Sequence, residues 1–168
     1  MSEKFANLLP RFLKYVKVET RSDPNSQTIP SSSKETAFLK QLQDELQSLG
    51  LTDVHLNPDN SYLVATIPSN VDAKVPVIGF LAHVDTADFN AVNVNPQVVK
   101  HYDGHSPITL GNGKYQLDPA EFPALKNYAG QTLVTTDGTT LLGADDKSGV
   151  AEIVTMAEYL MSHPEIKH

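Results

Sequence analysis

Two short groups of residues in this sequence have the types and spacing for chemistry. The first is Ala82-His83-Val84-Asp85-Thr86, an imidazole with a carboxylate two residues on. The second is Gly143-Ala144-Asp145-Asp146-Lys147-Ser148-Gly149, where adjacent carboxylates precede an apolar-periodic stretch. Residues two apart in an extended strand point to the same side, so His83 and Asp85 share a face. A carboxylate beside one ring nitrogen orients a metal-bound histidine. It also makes an ordinary structural His–Asp hydrogen bond. Asp145 and Asp146 have a plain reading as well, because Asp before a helix caps it by accepting an orphan N–H. Capping accounts for one of the two and leaves the other unexplained.

Combining the groups favours a metal. Both follow apolar runs, so both are expected at one sheet edge, where open α/β folds place their ligands. One imidazole and one carboxylate on rigid strand ends suit Zn2+, Mn2+ or Co2+. The 168 residues include no cysteine, which excludes disulfides and thiolate sites and leaves His, Asp and Glu as the metal ligands. His55, His101, His105, His163 and His168 lack an apolar strand that would deliver them beside a carboxylate, and are expected at the surface. Neither a Gly-x-Ser-x-Gly elbow nor a phosphate-loop pattern occurs.

The bulk numbers narrow the function classes. With 40% hydrophobic and 20% charged residues the chain reads as globular. A formal net charge of −7 without a basic run argues against nucleic-acid and anionic-membrane partners. No apolar run approaches membrane-spanning length, and Met1 to Phe5 lacks the apolar core of a secretory signal. A cytoplasmic location is the default.

The positioning elements follow from periodicity. Phe5, Leu8, Leu9, Phe12, Leu13 and Val16 predict a helix over about 7–17, with Pro10 in its first turn. Thr20 to Ser33 reads as a loop. Ser32-Ser33-Lys34-Glu35 has capping-box spacing, with Glu35 reaching back, and opens a helix that Gly50 ends. Val54–Leu56 and Tyr62–Ile67 are predicted strands around a turn at Asp59-Asn60. Pro76 to Val84 is a continuous apolar run of the kind that suits a central strand buried on both faces. Residues 93–102 read as irregular. Ile108–Leu110 and Tyr115–Leu117 flank the Asn112-Gly113 turn as a small hairpin, and 119–128 holds a short helix. The excursion from Ala87 to Tyr128 reads as an insertion over the active edge. Thr132–Thr136 and Thr139–Leu142, joined by Asp137-Gly138, predict a second hairpin that delivers Asp145. A helix then runs to about Ser162. The expected class is α/β, a mixed β-sheet flanked by helices. Its last helix would cross back to another strand, so residues 1–168 are expected to be a domain truncated before its later strands.

His83-Val84-Asp85-Thr86 together with Gly143 to Gly149 resembles the metal-binding core of the co-catalytic di-zinc aminopeptidase and carboxypeptidase family. Asn93-Val94-Asn95-Pro96-Gln97, Gln131-Thr132-Leu133, Thr135-Thr136-Asp137-Gly138 and the opening Leu8-Leu9 with Arg11-Phe12-Leu13 resemble its tripeptide-cleaving aminopeptidases. The resemblance covers essentially the whole chain. It implies a metal-dependent aminopeptidase that releases the amino-terminal residue of a small peptide substrate using two Zn2+ per active site. It implies His83 as ligand of one metal, Asp145 as bridge between both, Asp85 as the carboxylate that orients His83, and a cis peptide at Asp145-Asp146. Asp146 keeps the capping role. It also places a general-base Glu, a Glu, an Asp and a His ligand, and a small domain that often mediates dimerisation, beyond the equivalent of His168. The full-length protein would then be a candidate homodimer, and the 168 residues alone would be inactive. The alternatives are a related metal-dependent dipeptidase or amidohydrolase, and a non-catalytic metal- or protein-binding fragment.

Overall fold

A computed structural model describes residues 3–168 of the protein. Met1 and Ser2, part of the segment read as lacking a signal, lie outside the described residues. Three helices carry the main core: α1 (Leu8–Val16), α2 (Ser33–Ser48) and α3 (Ala144–Ser162). Six short strands accompany them: β1 (Thr52–Leu56), β2 (Leu63–Thr66), β3 (Gln97–Val99), β4 (Ile108–Leu110), β5 (Tyr115–Leu117) and β6 (Leu133–Thr135). Among the described residues no helix is long and apolar enough to cross a membrane.

Each helix starts for a reason visible in its residues. Pro10 sits within the first turn of α1, where a missing N–H leaves no bond unmade. Ser32 caps α2, its hydroxyl accepting the Lys34 N–H at 3.3 Å. The capping box closes differently from expectation, because the Glu35 carboxylate turns to the Ser31 hydroxyl at 2.8 Å. The helices meet around Tyr15, Phe38, Leu42, Val150, Ala151 and Val154. The Tyr15 and Phe38 rings pack edge to face with centroids 5.4 Å apart, and fully burying each side chain contributes about 1.5–3 kcal/mol.

One cation ties the three helices together. Buried Arg11 on α1 donates to Glu45 of α2 at 2.9 Å, and to Thr155 and Glu158 of α3 at 2.7 and 3.0 Å. Burial alone would raise the Glu45 pKa, but hydrogen bonds from Arg11 and Lys14 hold it below the ordinary value.

The sheets depart from the expected layout. In place of one mixed sheet there are three two-stranded antiparallel ribbons, β1–β2, β3–β6 and β4–β5. The class remains α/β. The β4–β5 hairpin forms as predicted around Asn112-Gly113, with Gly113 at φ +88° donating to the Leu110 carbonyl. The hairpin expected across Asp137-Gly138 does not form. Thr139 and Leu141 direct their backbones to Asn90 instead, which donates its side-chain amide to the Thr139 carbonyl and accepts the Leu141 N–H. β6 therefore pairs with β3, inside a stretch read as irregular. The excursion has its own small core of Tyr102, Ile108 and Leu110.

The largest correction concerns residues 76–84. They form no strand, and Val77, Ile78, Phe80 and Leu81 are exposed where burial on both faces was expected. Only the far end of the run is engaged, with Ala82 and Val84 against the helix core. The physical reason is that among the described residues no strand pairs along either edge.

Truncating the Arg11 clamp leaves the half-buried Glu45 to the exposed Lys14. Arg11→Ala is expected to cost about 2–3 kcal/mol in urea unfolding at pH 7, slightly under the fully buried case. Because Glu45 is depressed in the folded state, its contribution is intact above the ordinary glutamate pKa of about 4.3 and fades as the pH falls through the folded value. The Arg11→Ala penalty should therefore shrink when the unfolding is repeated at progressively lower pH in that range.

Candidate metal centre

The end of the apolar run is braced from the side by the segment after α1. Thr20 donates its hydroxyl to the Val84 carbonyl at 2.7 Å and accepts the Thr86 N–H on its own carbonyl at 2.9 Å. Ser22 donates its N–H to the Thr86 carbonyl at 3.0 Å, and Arg21 and Thr86 form a parallel bridge. The segment read as a loop thus begins as a short strand-like brace that fixes the backbone on which His83 and Asp85 sit.

The second group is brought to the first by Gly143. Its φ of +73° belongs to the left-handed region, which only glycine occupies cheaply. A Cβ built there would stand 3.0 Å from the Thr86 methyl group. Both demands, conformation and close approach, favour glycine over a larger residue. Lys147 closes the joint from inside. Its side chain is 1% exposed, its Nζ donates to the Val18 carbonyl, and it lies over the Phe38 ring at 5.5 Å. Burial pushes its pKa down to about 8. Sequence reasoning did not single out Lys147. A lysine three residues into an apolar-faced helix carries no signal of burial unless its carbonyl partner is known.

At this joint the imidazole of His83 is engaged on both ring nitrogens. Nδ1 lies 3.1 Å from Asp85 Oδ1 and 3.0 Å from the Asp85 carbonyl. Nε2 lies 3.0 Å from Asp145 Oδ1. Partial burial would lower the His83 pKa, but the Asp145 hydrogen bond, with help from Asp85, raises it above the ordinary value. The three residues singled out from the sequence are therefore neighbours. Asp145 is 95% exposed at its side chain, so this side of the site is open.

Asp146 does a different job. The Asp145-Asp146 peptide is cis, as the resemblance implies, and both residues have non-helical backbone angles. The Asp146 carboxylate accepts the Gly149 N–H at 3.1 Å, the N-cap bond three residues on. A Cβ on residue 149 would overlap that carboxylate, which explains the glycine.

The donor set fits one side of a metal site. His83 Nε2 and Asp145 Oδ1 face each other as candidate ligands, while Asp85 holds the other ring nitrogen in the manner of a carboxylate that orients a ligating histidine. Among the described residues no group of three or more His, Asp or Glu side chains converges on one point. A four-coordinate zinc needs further ligands. Of the other histidines, His55, His101 and His105 are exposed as expected. His163 and His168 are half-buried. His163 stacks on Tyr159 with centroids 3.9 Å apart, and His168 is bound to Asn70.

No family model matches the chain. Among curated proteins it is 70% identical over 165 residues to peptidase T of Limosilactobacillus fermentum, a match covering 98% of this chain and 40% of that protein. Peptidase T of Enterococcus faecalis is 61% identical and that of Latilactobacillus sakei 59% identical, with the same coverage. The chain resembles peptidase T along almost all of its length. It spans about two fifths of the length of these relatives. The fold is also similar to the crystal structure of a tripeptidase from Staphylococcus aureus, with a TM-score of 0.63 and 25% identity over 98% of this chain and 34% of that one. The metallopeptidase-family resemblance read from the sequence thus narrows to peptidase T.

Two measurements check the local geometry. Asp145→Asn removes the charge facing Nε2, so NMR titration should show the His83 pKa fall toward its ordinary value. An unchanged pKa would mean the two side chains are not paired in solution. Gly149→Ala should displace the Asp146 carboxylate and cost about 1 kcal/mol in thermal or urea unfolding, the worth of a cap.

Proposed function

We propose that these 168 residues are the amino-terminal portion of the catalytic domain of a di-zinc aminopeptidase that removes the first residue of tripeptides. The observation that carries this reading is the His83 imidazole held between Asp85 and Asp145 at a joint that Gly143 and Lys147 close. The peptidase T relatives and the tripeptidase neighbour support the substrate class.

His83 Nε2 would bind one metal and Asp145 would bridge the pair. Asp85 would hold the ring orientation and raise its basicity. Bound there, a zinc pair supplies Lewis-acid chemistry, acidifying water and polarising the scissile carbonyl. This chain's own residues hold that chemistry in place. Asp85, 3.1 Å from Nδ1, would accept the Nδ1–H, and a metal would take the place of the Nε2 proton that now faces the exposed Asp145 carboxylate. The proton-shuttling Glu and the remaining ligands belong, on this reading, to the polypeptide beyond these residues. So does a small second domain through which the whole protein could pair as a homodimer. The location proposed is the cytoplasm, with no nucleic-acid or membrane partner.

Two experiments test the proposal. The 168-residue chain should cleave no tripeptide, and calorimetry with Zn2+ should show no pair of tight sites. Substituting this chain for the matched part of the L. fermentum peptidase should give an enzyme active on tripeptides, and His83→Ala or Asp145→Ala in it should lower kcat by at least about a thousandfold. Retained activity in those variants would remove both residues from the site. Activity confined to dipeptides or acylated amino acids would point to a related amidohydrolase instead.

A further inference from the structure

Beside the joint lies a short turn that neither the helix core nor the metal reading uses. Residues 87–89 close on themselves, the Phe89 N–H donating to the Ala87 carbonyl at 2.6 Å, the bond of a three-residue turn. Phe89 is 66% exposed. One exposed apolar side chain is ordinary on a protein surface and by itself signals nothing. What sets Phe89 apart is its mounting.

The turn is fastened at both ends to the segment that delivers Asp145. Before it, Thr86 is buried with its methyl group against Gly143. After it, the Asn90 carbonyl accepts the Leu141 N–H at 2.8 Å, and the Asn90 side chain donates to the Thr139 carbonyl at 3.1 Å. Ala91 is buried in a small cluster on which Leu142 packs. Between these anchors Asp88 is held by Arg21 of the brace at 2.7 Å. Its neighbours are tied down, and the Phe89 ring is left in solvent on a rigid mount.

Chain length puts that ring close to the candidate ligands. Phe89 is three residues from Thr86, hence within about 11 Å of the contact with Gly143. Asp145 follows Gly143 by two residues and His83 precedes Thr86 by three. An extended tripeptide is about 10 Å long, so the ring stands within a peptide's length of the joint. Asp145 leaves this side open.

We propose that Phe89 is a specificity-determining residue, its ring forming one wall of a subsite for an apolar side chain of the tripeptide. The chemical class follows from the surface offered. The ring presents an apolar face, and the one charge on its turn, Asp88, is already paired with Arg21. An apolar side chain laid on the ring removes water from both, and the rigid mount leaves little ordering to be lost on binding. The inference rests on the reading of this centre as a tripeptide aminopeptidase site and adds which peptides the site prefers.

The test uses the hybrid with the L. fermentum peptidase, triglycine, and the three tripeptides that carry one leucine and two glycines. In the unaltered hybrid, kcat/KM for at least one leucine peptide should exceed that for triglycine. Phe89→Ala should reduce this preference about tenfold or more through KM, the scale of a lost apolar contact, and leave triglycine turnover within about twofold. Phe89→Leu should restore most of the preference. In the short chain Phe89→Ala should leave the melting temperature unchanged. An active hybrid that shows no leucine preference, or keeps it in Phe89→Ala, overturns the proposal and leaves the peptidase reading standing. An equal loss on all four peptides overturns it too, as does failure of the Phe89→Ala hybrid to fold, because the ring would then be packing against the rest of the polypeptide. An unaltered hybrid inactive on all four peptides removes the peptidase reading itself, and the subsite with it.

Discussion

The candidate centre depends on one close approach, that of Gly143 to Thr86. A glycine in the left-handed region lets the chain turn so tightly that the backbone of the second group lies against the side chain of the first. Everything nearby holds that contact. The Thr20 hydroxyl and carbonyl fix the backbone on one side, and the buried Lys147 amine fixes the start of α3 on the other. The backbones that carry the carboxylates and the imidazole are therefore placed by packing and hydrogen bonds that do not use the reactive groups, and Asp85 and Asp145 then hold the ring. Such a division suits a site that must be rigid before a ligand arrives, because little ordering entropy remains to be lost on binding.

The helical part was largely legible in the sequence. Apolar spacing located α1, α2 and α3, and Ser32 and Asp146 act as the caps their positions suggested. His83, Asp85 and Asp145 could be picked out because a carboxylate two residues from a histidine and a pair of carboxylates before a helix are rare enough to compete with plain explanations. What the sequence hid was long-range. Nothing local says that Asn90 will capture the backbone of Thr139 and Leu141, and so the Asp137-Gly138 turn was read as a hairpin when β6 belongs with β3. Lys147 was missed for the same reason, since its partner lies 129 residues away.

The run at 76–84 shows the opposite failure. Its pattern reads as a buried strand, and among the described residues no strand lies beside it. Hydrophobic pattern reports what a segment wants around it. Burial depends on whether the chain can provide it.

The β3–β6 and β4–β5 ribbons sit around Tyr102, Ile108 and Leu110, a core to which α1, α2 and α3 contribute no residue. Cooperative units form where contacts are dense and separate where they thin out. This lobe can therefore breathe, lose a hydrogen bond or accept a new turn at Gly113 without the penalty reaching α1, α2 or α3. Descendants of the sequence can remodel it as an interchangeable part, while the joint at Gly143 allows almost no experiment of its own.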